Sequence, residues 1–225
     1  MATSKRIRGK DALQPLLRGG RRRRAVYVFT EGRVTERKYI LTVKELVVAV
    51  TVDIHIANEK ASASDRTPAD LVRDALSLMA EKRREDRKAQ VGEGMRTQVW
   101  CVFDHDGRNR NELVSLMKKA QTGGVDIAFS HPCFELWRLL HVKEVTGTFG
   151  GVCDQAAGRL PQDFYTVAGG IKHLVPEQLR GGFVAARRRA ESLRARHGEG
   201  KPLPDCDPYT DVDLFVEKGM GVTAY

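Results

Sequence analysis

Cysteine is scarce in this chain and poorly spaced. Only Cys101, Cys133, Cys153 and Cys206 occur, and no two stand as a C-x-x-C pair. That spacing predicts neither a zinc site nor a disulfide framework. Cys101 and Cys133 lie inside apolar runs and read as buried packing residues. Unpaired thiols suit a reducing cytoplasm. No apolar run approaches the roughly 18–20 residues of a membrane-spanning helix. None follows the basic N-terminus as a secretory signal would require, so neither a membrane nor a secreted protein is expected. The G-x-x-x-x-G-K-[ST] phosphate loop is missing, which disfavours a small-molecule phosphotransferase.

Net charge is nearly absent from the body of the chain. The 225 residues carry 38 basic and 29 acidic groups, +9 in all. Nine of the basic residues, against Asp11 alone, fall in residues 1–24, and the remaining 201 residues hold 29 basic and 28 acidic groups. A neutral body argues against a domain that coats duplex DNA by charge. The run Arg21, Arg22, Arg23, Arg24 reads as a phosphate-seeking arm or as a solvated tail.

What is present is a soluble globular composition, 41% hydrophobic and 30% charged, long enough to bury a core without staples. Ala25–Phe29 and Gln98–Phe103 are continuous apolar runs, the pattern of strands buried on both faces. Residues 51–56 and 125–129 supply two more strands. Helical spacing covers 35–48, 67–87 (with Pro68 at the first helical position), 111–120 and 132–141. The alternation of strands and helices predicts an α/β fold, a four-stranded parallel sheet flanked by helices over residues 25–146. A basic arm (1–24) precedes it. A glycine-rich, helical C-terminal part (147–225) follows and packs on it, with a basic helix at 183–196, a linker at Pro202–Pro204 and a last helix at 211–218.

Open parallel sheets form sites beyond the carboxyl ends of their strands, where strand order reverses. Glu31 stands one residue past the first strand, and Asp104 and Asp106 at the end of the third. With order 2-1-3-4, these three carboxylates converge. Asp104 and Asp106, two apart in an extended segment, are expected to share a face. Such a cluster repels itself unless a cation neutralises it, and an oxygen-only set suits Mg²⁺ or Mn²⁺. Asp-x-Asp-Gly is also a common turn composition, so loop capping is the competing reading.

A strand ending in Glu31-Gly32 and a later one ending in Asp104-x-Asp106 resemble the topoisomerase–primase (Toprim) catalytic core. More narrowly, Phe29-Thr30-Glu31-Gly32 with Thr35, Glu36 and Tyr39 resembles the opening motif of the RloB-like family. So does the block Ser130-His131-Pro132-Cys133-Phe134-Glu135-Leu136-Trp137 through His141. Pro208-Tyr209-Thr210 with Val212, and Arg188–Ala190, resemble its C-terminal pattern. His131 departs from it, standing where the family often has Asn. The likeness covers about residues 24–218. It implies a Toprim-like (Rossmannoid) metal-dependent nuclease of phage-defence or abortive-infection systems, with an RNA such as tRNA as substrate and an ATPase of the AAA/ABC type as partner. The alternative is a non-catalytic nucleic-acid-binding or regulatory subunit beside such an ATPase.

The resemblance assigns Glu31, Asp104 and Asp106 to the metal and to catalysis. Glu135, in the first turn of the helix after the fourth strand, either completes the metal site or pins an arginine. Trp137 reads as core and His141 as a satisfied structural histidine. His131, opening a helix, either touches a phosphate or is simply exposed. His105 is expected to point away from the aspartates. Thr35 and Glu36 read as helix capping, with a supporting role at the site as the lesser alternative. Lys172 is a candidate for the scissile phosphate, and Arg187, Arg188 and Arg189 for the nucleic-acid backbone. Each of these cations has a solvated surface role as its alternative. Self-association is left open.

Overall fold

A computed structural model describes residues 23–47, 50–62 and 66–225. Arg21, Arg22 and most of the basic arm lie outside the described residues, as does Val48 at the end of the first expected helix. The core elements are β1 (Arg24–Thr30), α1 (Thr35–Leu46), β2 (Val52–Ile56), α2 (Pro68–Lys88), β3 (Gln98–Asp104), α3 (Arg110–Gly123), β4 (Asp126–His131) and α4 (Glu135–Val142). Then come α5 (Cys153–Ala157), α6 (Phe183–Arg194), β5 (Tyr209–Thr210) and α7 (Val212–Leu214), which runs into a π-turn at Phe215–Gly219. None of the described helices is long and apolar enough to cross a membrane.

The sheet order is β2-β1-β3-β4-β5. The first four strands are parallel, with Val28 opposite Trp100 and Cys101 opposite Ile127. Central strands need apolar residues on both sides, which the runs in β1 and β3 provide. Val26, Val28, Trp100, Val102 and Ala128 face one way, onto Tyr39, Ile40 and Val43 of α1, Leu136 and Leu140 of α4 and Ala186 of α6. Phe29, Val99, Cys101, Phe103 and Phe129 face the other way, onto Leu71, Val72 and Ala75 of α2 and Leu113 of α3. Helices therefore cover both faces of the sheet, in the Rossmann-like manner. Each fully buried Leu or Val among them contributes about 1.5–3 kcal/mol.

Local signals fix the helix ends. The Thr67 hydroxyl accepts from Asp70 N at 3.3 Å and Pro68 occupies the first position of α2, where a missing N–H costs nothing. Asn109 accepts from the N–H groups of Asn111 and Glu112 at the start of α3. Gly124 (φ 72°) closes that helix in the left-handed conformation.

Three expectations need correction. The sheet has five strands and is mixed: β5 pairs antiparallel with β4, Ser130 opposite Thr210 and His131 opposite Tyr209. Two residues are too few to show a period, but the segment is held firmly. Asp211 accepts from Phe129 N at 2.6 Å and from the Tyr209 hydroxyl at 3.2 Å. Arg194 of α6 grips the fully buried Asp213 at 2.6 and 2.8 Å. Secondly, the last helix begins at Val212 rather than Asp211 and loosens into a π-turn, while the linker at Pro202–Pro204 runs into a short 3-10 turn, Leu203–Asp205. Thirdly, Cys133 and Cys153 form a disulfide, with Cα atoms 5.5 Å apart. They are 20 residues apart, and only the folding of α5 against the β4–α4 turn brings them together. Cys101 and Cys206 are buried free thiols. Cysteine usage thus no longer argues for a reducing compartment.

Candidate functional site

A cleft of about 590 Å³ opens beyond the carboxyl ends of β1 and β3, at the point where strand order reverses. Its wall carries Glu31, Glu36, Asp104, Asp106, Glu135 and Asp154. The cations Arg33 and Lys172 stand at the same wall, both exposed. Glu31, Asp104, Asp106 and Glu135 thus line one cleft, with Glu36 and Asp154 beside them.

Asp104 ends β3. Its Oδ2 accepts from Phe134 N at 3.0 Å, so the turn before α4 is tied to it. Its Oδ1 is buried and has no hydrogen-bond partner. Burial, and then the charges of Glu36, Glu135 and Glu31, push its carboxyl well above the usual carboxylate range. Glu31 reaches across, Oε2 accepting from Asp104 N at 3.1 Å. Its other oxygen is ion-paired with Arg108. Burial still raises the Glu31 carboxyl, against the pull of the Asp104 N–H and Arg108.

Glu36 sits in the first turn of α1 and is 4% exposed. Its Oε1 accepts from Gly32 N at 3.0 Å, which ties the loop before the helix; neither Thr35 nor Glu36 caps α1, whose N-cap residue Val34 has no side-chain cap hydrogen bond. Burial and the charges of Glu135 and Glu31 nonetheless lift its carboxyl to about 7. Its place in the cleft wall fits the lesser alternative of a supporting role. A Cβ on Gly32 would lie 2.5 Å from Glu36 Cδ and 2.6 Å from Oε1. Glycine stands there to let the carboxylate approach the backbone. Glu135 opens α4, with Oε2 3.7 Å from Cys153 Sγ.

Asp106 lines the cleft but does not share a strand face with Asp104. The strand ends at Asp104, and Asp106 adopts φ 43° with Gly107 following at 67°. Alternation of side chains needs extended backbone, and here the chain turns, His105 N bonding Ser130 O and Arg108 N bonding His105 O, both at 2.9 Å. The same turn swings Arg108 back onto Glu31. A reading that counts carboxylates alone misses Arg108, although its position just after Asp-x-Asp-Gly is the available signal. Asp154 is missed because five-residue α5 has no readable period.

Lys172 reaches the cleft on a segment held from below by Arg138. This buried guanidinium donates to the carbonyls of Ile171 and His173 and lies 5.1 Å from the Phe164 ring centroid. The arginines of α6 do not line the cleft. Arg187 pairs with Glu217 and Glu191. Arg189 donates to Leu140 O at 2.6 Å. Arg188 lies with Arg189 and Arg196 at a separate hollow of about 180 Å³. Of the arm, Arg23 is exposed and Arg24 belongs to β1, donating to Lys218 O at 2.6 Å.

His131 is neither exposed nor at a helix start. It ends β4 with its ring stacked on His105, centroids 3.9 Å apart. Burial and His105 hold it down to about 4. Trp137 is core, and His141 is buried between Trp137 O at 3.0 Å and the Tyr225 hydroxyl at 2.8 Å.

The carboxylates along the cleft wall offer oxygen, the donor type that hard divalent cations take. Asp104, Glu31, Asp106, Glu36 and Glu135 supply oxygen, while Cys133 and Cys153 line the same cleft. The set holds one buried carboxylate oxygen with no partner, Asp104 Oδ1, and burial with neighbouring like charge raises the carboxyls of Asp104, Glu36 and Glu31. Comparison with known proteins agrees in scope with the motifs. The family model described as RloB-like protein matches residues 26–218. No curated protein and no solved structure matches.

Proposed function

The chain belongs to the RloB-like family, and on that premise we propose that it is a Toprim-like, divalent-metal-dependent nuclease hydrolysing nucleic-acid phosphodiesters. The observation that carries the reading is Asp104: a buried carboxylate with a free Oδ1, ringed by Glu31, Glu36 and Glu135. Asp104, Asp106, Glu31 and Glu135 are the residues that would hold Mg²⁺ or Mn²⁺. Such an ion supplies charge stabilisation to a phosphoryl group under attack. The protein's part is positioning. Phe134 N fixes Asp104, Gly32 N fixes Glu36, and Arg138 holds the segment that presents Lys172 as a point charge for a phosphate. Arg33 adds a second cation at the mouth. The family resemblance supports RNA, such as tRNA, as substrate, a role in phage defence or abortive infection, and an AAA/ABC-type ATPase as partner.

One feature favours the second reading, a non-catalytic nucleic-acid-binding or regulatory subunit. Arg108 already neutralises Glu31, as a structural ion pair would. Incubation with total tRNA and with plasmid DNA separates the two. Mn²⁺, Mg²⁺ or EDTA is added, beside the Asp104→Asn/Asp106→Asn variant. Metal-dependent products absent from the variant support the nuclease. Metal-independent binding with no products, with the ATPase partner present as well as absent, supports the binder.

A further inference from the structure

The same cleft holds a cluster of different chemistry. One ligand atom each from Cys133, Glu135 and Cys153 lies within 4.8 Å of the others. We propose that the Cys133–Cys153 disulfide is the oxidised form of a soft-metal site, and that the reduced chain binds one Zn²⁺ through Cys133, Cys153 and Glu135.

The donor set selects the metal. Thiolates prefer Zn²⁺ and similar soft or borderline ions, whereas Mg²⁺ and Mn²⁺ prefer oxygen. Zn–S bonds of about 2.3 Å and Zn–O bonds of about 2.0–2.2 Å place tetrahedral donors about 3.5–3.8 Å apart. Glu135 Oε2 already lies 3.7 Å from Cys153 Sγ. Only the two sulfurs must part, which reduction permits. The frame is otherwise built. Cys133 is 2% exposed on the β4–α4 turn, Glu135 is the first residue of α4, and Cys153 is the first of α5. The loop before α5 is pinned by Asp207, which accepts from Gly151 N at 2.9 Å and from the Thr148 hydroxyl. All three residues line the cleft, so the ion would reach them from it.

The step balances. A dithiol reductant gives two electrons and two protons to the disulfide and becomes a disulfide itself. The two thiols then lose their protons as the metal binds. Zinc bound this way takes Glu135 out of the acidic cluster. The oxidised and reduced chains therefore differ in the charge left around Asp104. The site stands whether or not the cleft hydrolyses anything, because metal binding is read without substrate.

The test uses the full chain and Co²⁺ as the spectroscopic probe. Half the sample is reduced with a phosphine and desalted anaerobically, and half is kept oxidised. The reduced chain is expected to take up one Co²⁺ with intense sulfur-to-cobalt charge-transfer absorption. One equivalent of Zn²⁺ should bleach it and excess Mg²⁺ should not. The oxidised chain should show none. Cys153→Ser should lose the absorption while its far-UV circular dichroism stays native, and Glu135→Gln should weaken binding about tenfold or more. No absorption in the reduced chain overturns the proposal. So does absorption of equal strength in Cys153→Ser, which would place the metal on Cys101 or Cys206. The comparison of oxidised with reduced wild type needs no variant, so a folding defect cannot mask the outcome.

Discussion

Gly32→Ala offers a direct probe of how the acidic cleft is assembled. The added methyl falls 2.5 Å from Glu36 Cδ and 2.6 Å from Oε1. Oε2 lies closer still; since ordinary contacts lie at about 3.5–4.0 Å, the carboxylate must retreat by more than about 1 Å. Glu36 is buried, and the retreat breaks its 3.0 Å bond from Gly32 N. A hydrogen bond to a charged group contributes about 1.5–3 kcal/mol. For a chain of this length that corresponds to about 3–12 °C in Tm. Thermal unfolding of wild type, Gly32→Ala, Glu36→Ala and the double variant forms a cycle. The methyl should cost its full amount beside Glu36 and almost nothing in the Glu36→Ala background. An equal cost in both backgrounds would place the effect in the backbone and refute the role given to Glu36.

Other consequences follow from the same contacts. Arg194→Ala strands the fully buried Asp213 and should cost about 3–5 kcal/mol, read as a lowered midpoint in urea. No loss would mean that the C-terminal segment is held by other contacts. Asp211 is raised by burial from 3.8 to about 7. Between those values the unfolded chain releases a proton that the folded chain keeps, so stability falls as pH rises through this window and levels off above about 7. Asp211→Asn should therefore gain on wild type in Tm as pH goes from 4 to 8, and a constant difference would contradict the shift. Arg138→Leu should free the segment around Lys172, raising KM for the nucleic acid more than it lowers kcat. Limited proteolysis near residues 171–178 should quicken in parallel, and unchanged protection there would remove the positioning role.

How much is legible in the sequence follows from what each pattern encodes. The apolar runs at 25–29 and 98–103 announce buried parallel strands, because only a strand covered on both faces tolerates unbroken Val, Phe and Trp. From their order the crevice at Glu31 and Asp104 follows by topology. Alternation misplaces Asp106 on the strand face, because the rule is carried past the residue where φ becomes positive. Arg108 is invisible for the same reason, since its meeting with Glu31 depends on that turn. The fifth strand leaves no mark because two residues have no period, and the disulfide leaves none because proximity across 20 residues is a property of the fold. The α6 arginines illustrate the reverse case. A basic run looks like a nucleic-acid face, yet Arg187, Arg189 and Arg194 mostly bind the protein's own carboxylates and carbonyls.

The reading of the cleft as a hard-cation site is tested most directly by calorimetric titration of Mn²⁺ into the oxidised chain, whose Cys133 and Cys153 are tied up, beside Asp104→Asn. Ion binding to the wild type and not to the variant is expected. At a hundredfold excess over Kd it should add about 2.7 kcal/mol to stability. Equal binding by both proteins, or by neither, would contradict the assignment of Asp104 as the centre of the site.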